Sequence, residues 1–433
     1  MITADKLPNV SALETAKESR HRWYYFKEAF SPEIVRHAIS DATLPEGAVI
    51  YDPFSGSGTT VLTALQGGFN GRGTEVNPFL RFVASAKTTN SRKTKLANAF
   101  DRVFEGARSK AVHPLERFST FSELGEASQK RGKWLFNSSV LRAFGGAWAA
   151  TALNDPAERT LTQLAAIAAA MDAANAEKDG KCLRFKQSWE ETRYSYTDFR
   201  NALERRRDEM LADCLETEVM RSGSASIQLG DSRGITPNEN FDLCVTSPPY
   251  LNSFDYTDVY RPELFLSGFV KSMEELTTLR TRTLRSHVQT KWSTPLASDF
   301  GQHYDETMAR LDVERDHLWN RRIPEMVQAY FEDMSSVFLN LRSKAKQSAS
   351  IWLVVSTSAY SGVEIPVDLI LADIAGRNGW FLREVTVLRY LRRVSGQQWH
   401  KLNNASDGEG PYLRESLIVL DAKPRLKGKA KRG

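Results

Sequence analysis

One stretch restricts the fold more than any other. The apolar run from Ala48 to Phe54 carries an acid at Asp52, and Gly56, Ser57, Gly58, Thr59 and Thr60 follow it at once. The helical pattern that begins there stops at Gly67 and Gly68. A short, continuously apolar run reads as a strand buried on both faces, and such strands belong to parallel sheets with helical crossovers. Glycines at 56 and 58 permit a tight strand-to-helix turn and close approach of a ligand to the backbone. A second short strand, residues 71–77, carries Glu75, and Pro78 opens another helix. The result is a βαβ unit whose loops lie at the strand C-terminal ends.

Further strand signals lie at residues 225–232, 241–250, 350–358, 380–393 and 413–422. Between residues 96 and 220 the chain is instead rich in Ala, Leu, Arg and Glu, with few β-branched runs. The pattern predicts an α/β fold with a doubly wound, Rossmann-like sheet of about seven strands. Five are helix-connected and the last two form a hairpin. A helical insertion, residues 95–223, expected to be a target-recognition or scaffold region, divides one catalytic domain formed by residues 1–94 and 224–422, and residues 423–433 form a basic, flexible tail.

The glycine-rich turn lacks the Gly-Lys-Ser/Thr of a P-loop, and Val61 occupies the place of the third small residue of a dinucleotide fingerprint. Glu75 follows Asp52 by 23 residues, where a carboxylate holds ribose hydroxyls. Both facts suit a nucleoside cofactor without a pyrophosphate. A second motif, Thr246-Ser247-Pro248-Pro249-Tyr250, directly follows the apolar strand Phe241–Val245. Two prolines end a strand stiffly and leave carbonyls free as acceptors. With the Ser247 hydroxyl and the flat face of Tyr250, the turn suits an amino group and the ring that carries it.

Together the two motifs resemble the S-adenosylmethionine-dependent DNA amino-methyltransferases, which methylate cytosine N4 or adenine N6. The segment 21–35, the Glu75 strand, Gly230-Asp231-Ser232 and the later strands extend the resemblance to roughly 300 residues, everything but the helical block, the tail and the extreme N-terminus. It implies that Asp52, Pro53, Phe54, Gly56, Ser57, Gly58 and Thr59 wrap the methionine portion of the cofactor. Glu75 binds the ribose, Asp231 approaches the adenine, and Tyr25 and Phe26 close the pocket. Ser247, Pro248, Pro249 and Tyr250 hold a target base flipped out of double-stranded DNA. Ser247 at the head of its motif leans toward cytosine N4. Adenine N6 and RNA bases are the alternatives within the enzyme class, and a non-catalytic DNA- or partner-binding subunit is the alternative outside it. Cys182, Cys214 and Cys244 do not follow a proline in a loop, which argues against carbon-5 cytosine methylation.

Charge contributes little to this reading. The formal net charge is +5, yet Lys423, Arg425, Lys427, Lys429, Lys431 and Arg432 exceed that excess within the tail. Two internal runs free of acids are more informative. One carries Arg280, Arg282, Arg285 and Lys291, and the other carries Arg389, Arg392, Arg393 and Lys401. Both are expected to meet a phosphate backbone. The N-terminus lacks a signal-peptide layout, the Ala-rich run from Leu161 to Ala176 is too short to span a bilayer, and neither Cys nor His shows metal spacing. The expectation is a cytoplasmic protein without metal or membrane contact, whose partners are DNA and a cognate nuclease or defence-system subunit.

Overall fold

The computed structural model describes residues 12–125, 132–179, 182–214, 223–391 and 413–424. Its main sheet has seven strands among these residues: β1 (Val49–Asp52), β2 (Asn70–Glu75), β3 (Ala225–Leu229), β4 (Phe241–Thr246), β5 (Ala345–Ser356), β6 (Phe381–Tyr390) and β7 (Arg414–Asp421). Their spatial order is β3-β2-β1-β4-β5-β7-β6. The first five are mutually parallel, and β7 runs antiparallel to both β5 and β6. From β1 the chain winds outward through β2 to β3, then returns to place β4 on β1's other side. That reversal opens a crevice beyond the C-terminal ends of β1 and β4, where doubly wound sheets bind ligands. Both motifs lie there.

Alternation along the strands divides the core into two layers. Ile50, Leu243, Val245, Trp352 and Val354 face Ile34, Val35 and Ala38 of helix α1 (Pro32–Ala42) and Ala64 of α2 (Thr59–Gln66). Tyr51, Cys244, Ile351, Leu353 and Val355 face the opposite layer. Helix α3 (Pro78–Thr88) follows β2, and the Asn77 side chain caps it by accepting from the N–H groups of Phe79 and Leu80. Gly58 has φ +88°, and a Cβ there would lie 2.8 Å from Ala84 Cβ on α3. Glycine is therefore required twice over at this turn.

The region predicted as helical contains α4 (Lys93–Ser109), α5 (Ser138–Thr151), α6 (Pro156–Asp172) and α7 (Tyr196–Asp213). Helices α4 and α5 cross closely at Gly106 and Gly146, where a Cβ on Gly146 would meet the Gly106 carbonyl oxygen at 2.1 Å. The sequence pattern missed a hairpin between α6 and α7, Ala176–Asp179 paired with Cys182–Phe185. Its strands contain no β-branched residue, so propensity gives no warning; contacts made by its side chains hold it. Phe100, Phe144, Leu164 and Phe199 of the block share one apolar cluster with Trp23, Tyr24, Phe79, Val83 and Tyr260. Beyond β4 follow α8 (Met273–Thr281), α9 (Gln302–Val313), α10 (Ile323–Lys344) before β5, and α11 (Val367–Arg377) before β6. Helices α10 and α11 complete the second layer. No helix among the described residues is long and apolar enough to cross a membrane.

Candidate functional site

A cavity of about 440 Å³ occupies the crevice, within the usual range for small-molecule sites. Both motifs line it: Pro53, Phe54 and Gly56 from the first, Ser247 to Tyr250 from the second. Tyr25, Phe26 and Glu28 form one wall, and Arg282 to Leu284, Ser286 and His287 form another.

Glu75 ends β2 and lines the cavity. One carboxylate oxygen accepts from Gly56 N at 2.7 Å and the other from Asn77 N at 2.8 Å, so the acid pins the glycine turn to the neighbouring strand. Burial pushes its pKa up to about 7 despite these bonds, and nearby Asp52 adds to the shift. Asp52 stands just behind the lining. Its Oδ1 accepts from Phe54 N at 2.9 Å and from the Thr246 hydroxyl at 2.6 Å, joining the first motif to the second. Its Oδ2 is buried without a hydrogen-bond partner, and burial raises this carboxyl to about 6. Gly56 has φ +49°, and a Cβ there would press on the Phe26 ring at 3.2 Å.

Besides Asp52, three residues expected around the cofactor do not reach the cavity wall. Ser57, Gly58 and Thr59 are buried beneath the turn, where they shape it and start α2. Asp231 does line the cavity, and its carboxylate is held by Arg233 through Nε at 3.0 Å to each oxygen and Nη2 at 2.6 Å.

Tyr250 is fixed from across the sheet. Its hydroxyl donates to Glu415 Oε1 at 2.5 Å, while Arg389 Nε donates to Glu415 Oε2 at 2.6 Å. Glu415 is the second residue of β7 and went unnoticed in the sequence, because nothing local marks it. Arg389, expected to face phosphates, spends its charge on this acid instead. His287 was likewise missed: it is buried, lines the cavity, and its Nδ1 has no hydrogen-bond partner.

The acid-free run before Trp292 is not acid-free in space. Arg285 is buried and forms ion pairs with Asp333 and Glu332, both at 2.6 Å. Arg280 pairs with Asp255 at 2.6 Å. The expected DNA contact of both is corrected on that ground: α10 and the turn after β4 supply the counter-charges. Arg282 remains exposed at the cavity mouth, and Lys291 is exposed. Arg392, Arg393 and Lys401 lie outside the described residues. Among the described residues there is no cluster suited to a metal ion. Cys244 is buried within β4, which drives its thiol pKa well up.

A family model described as DNA methylase, of the N6/N4 kind, matches residues 6–86. The type II methyltransferase M.BsoBI of Geobacillus stearothermophilus is 24% identical, the alignment covering 95% of this chain and 87% of that protein. M.AvaI of Nostoc is 25% identical over 90% of this chain and 85% of its own length. The chain is similar to the DNA amino-methyltransferases, in residues 6–86 by the family model and along most of its length by these relatives. Among solved structures, a TehB-like methyltransferase of Corynebacterium glutamicum aligns over 90% of this chain and 87% of its own, at 11% identity and a TM-score of 0.28, too low to carry an argument.

The methyltransferase therefore acts on DNA with S-adenosylmethionine as methyl donor, and its crevice fits that molecule. Asp52 Oδ2 is an orphaned buried acceptor beside the turn. The two Glu75 oxygens each have a lone pair left after one backbone bond. The Gly56 turn, at φ +49° and packed against Phe26, lines the same cavity.

Proposed function

We propose that this methyltransferase methylates the exocyclic N4 of cytosine in duplex DNA, as the modification partner of a nuclease in a type II restriction–modification system of the cytoplasm. One observation carries the choice of chemistry: Ser247-Pro248-Pro249-Tyr250 leaves β4 beside the β1 turn and opens into the same cavity. Residues 1–94 and 224–422 act as the catalytic domain in this reading, with 95–223 inserted into it.

When bound, S-adenosylmethionine supplies an electrophilic methyl group on a sulfonium. Glu75 receives the ribose hydroxyls, Asp231 stands at the adenine, and the turn from Asp52 to Gly56 receives the methionine portion. A base amine is a weak nucleophile because its lone pair is conjugated into the ring. The Ser247 hydroxyl and the Pro248 carbonyl accept its two N–H bonds and direct the lone pair outward. Tyr250 stacks on the base and offsets part of the few kcal/mol that flipping costs. The remaining demand is in-line placement in a site closed to water. Arg282 at the mouth contacts a phosphate.

Relatives named as type II methyltransferases support the restriction–modification setting. The test is hydrolysis of DNA from expressing cells to nucleosides, followed by mass spectrometry. N4-methyldeoxycytidine is the expected product; N6-methyldeoxyadenosine in its place would refute the choice of base.

A further inference from the structure

Several polar side chains of the helical block reach toward the cofactor side of the fold. They converge on residues 20–28, the segment that carries the Tyr25–Phe26–Glu28 wall of the cavity. Two grips are visible, one at each end.

The first grip is Asp213, the last residue of α7. Its buried carboxylate accepts from Arg20 N at 2.8 Å, Trp23 Nε1 at 2.8 Å and Arg22 Nε at 3.2 Å. The second is Lys178, on the hairpin that sequence propensity did not foresee. Its ammonium donates to the Tyr24 hydroxyl at 2.7 Å, pairs with Glu263, and sits 3.6 Å from the centroid of the Tyr260 ring. Tyr24 in turn donates to Glu263 at 2.6 Å, and Tyr260 donates to Glu28 at 2.6 Å. Lys27 reaches the Lys178 carbonyl, and the Phe26 ring packs on Tyr260 with centroids 5.3 Å apart.

This arrangement is expensive to leave incomplete. Glu263 is fully buried, and its Oε2 has no hydrogen-bond partner. Without Lys178 that carboxylate would be a lone charge in an apolar cluster. Removing one member of a buried ion pair costs far more than removing both.

We infer that the block from α4 to α7 serves the methyl-donor site, with Lys178 and Asp213 as positioning residues that hold segment 20–28 against the cavity. The inference rests on the reading that this cavity receives S-adenosylmethionine. It makes the block a support behind the cofactor pocket, whose lining it does not enter.

The test compares Lys178→Met, Lys178→Met/Glu263→Gln, Tyr24→Phe and Glu75→Gln in the full chain. Each is measured for S-adenosylmethionine binding by calorimetry and for cofactor-free binding to duplex DNA by fluorescence anisotropy. Lys178→Met is expected to weaken cofactor binding tenfold or more, with DNA affinity within twofold of wild type. Removing both charges in the double variant is expected to recover most of that loss, which a Lys178 acting independently of Glu263 would not allow. If Lys178→Met does not fold, Tyr24→Phe takes its place, since it deletes only the hydroxyl between Lys178 and Glu263; a threefold or larger loss confined to the cofactor is expected. Unchanged cofactor affinity in the folded variant, or equal losses for cofactor and DNA, overturns the inference. Should Glu75→Gln also leave cofactor binding intact, the cavity reading itself fails and takes the inference with it.

Discussion

Glu75 gives the sharpest quantitative test of the site. Its ordinary pKa of 4.5 rises to about 7 in the fold because burial disfavours the charged form. An acid with a raised folded pKa binds more protons folded than unfolded between those values. Its unfavourable contribution is therefore absent below about pH 4.5 and grows until the pH exceeds about 7. The upward shift corresponds to about 3 kcal/mol. Glu75→Gln removes this titration but also opposes an amide N–H to the backbone N–H of Gly56 or Asn77, a cost of roughly 1–3 kcal/mol that is independent of pH. The informative quantity is therefore the change with pH. Urea denaturation of the cofactor-free protein at pH 5 and pH 8 should show the difference between variant and wild type moving by about 2.5 kcal/mol in the variant's favour as pH rises. Over the same range, S-adenosylmethionine binding should strengthen in wild type, because the ionised carboxylate accepts ribose hydroxyls, and change less in the variant, where Asp52, raised to about 6, still titrates beside the turn. A stability difference that is the same at both pH values would refute the reasoning.

Ser247→Ala and Tyr250→Ala should abolish methyl transfer while S-adenosylmethionine affinity stays within a few-fold, as calorimetry and tritium transfer to unmethylated DNA would show. Tyr250→Phe and Glu415→Ala should each lower kcat about tenfold, the loss expected of one charge-assisted hydrogen bond. Their double variant should be no worse than either, because both act on one ring; additive losses would contradict this. Arg285→Glu should cost about 3–5 kcal/mol in denaturation, because it sets a third carboxylate beside Asp333 and Glu332 and leaves Arg233 as the remaining charged partner of Asp333. Arg282→Glu should leave stability within about 0.5 kcal/mol and flatten the salt dependence of DNA binding.

The parts of this architecture that depend on neighbours in the chain were legible in the sequence. The β1 strand, its acid, the glycine turn and α2 are consecutive, and the prolines after β4 announce its end. Two motifs at strand C-termini were enough to locate the crevice and part of its lining. Contacts between distant residues were not legible. Arg285 looked free because Asp333 is 48 residues away on α10, and Tyr250 looked free because Glu415 is 165 residues away. The hairpin bearing Lys178 escaped notice because its stability comes from Tyr24, Tyr260 and Glu263, not from strand-forming side chains. Ser57 and Thr59 share a motif with Gly56, but the turn's sharpness sends them under the loop.

The position of β7 has a consequence for how this molecule matures. The sheet's last strand lies between β5 and β6, not at an edge, so the sheet keeps an open slot until β7 arrives. Glu415, the anchor of Tyr250, enters with that strand. A chain still emerging from the ribosome can order the cofactor-side half of the crevice around β1 and β2 well before its base-side half. The setting of Tyr250 thus depends on a strand made after β6, so a chain halted before residue 414 lacks the carboxylate that fixes this ring.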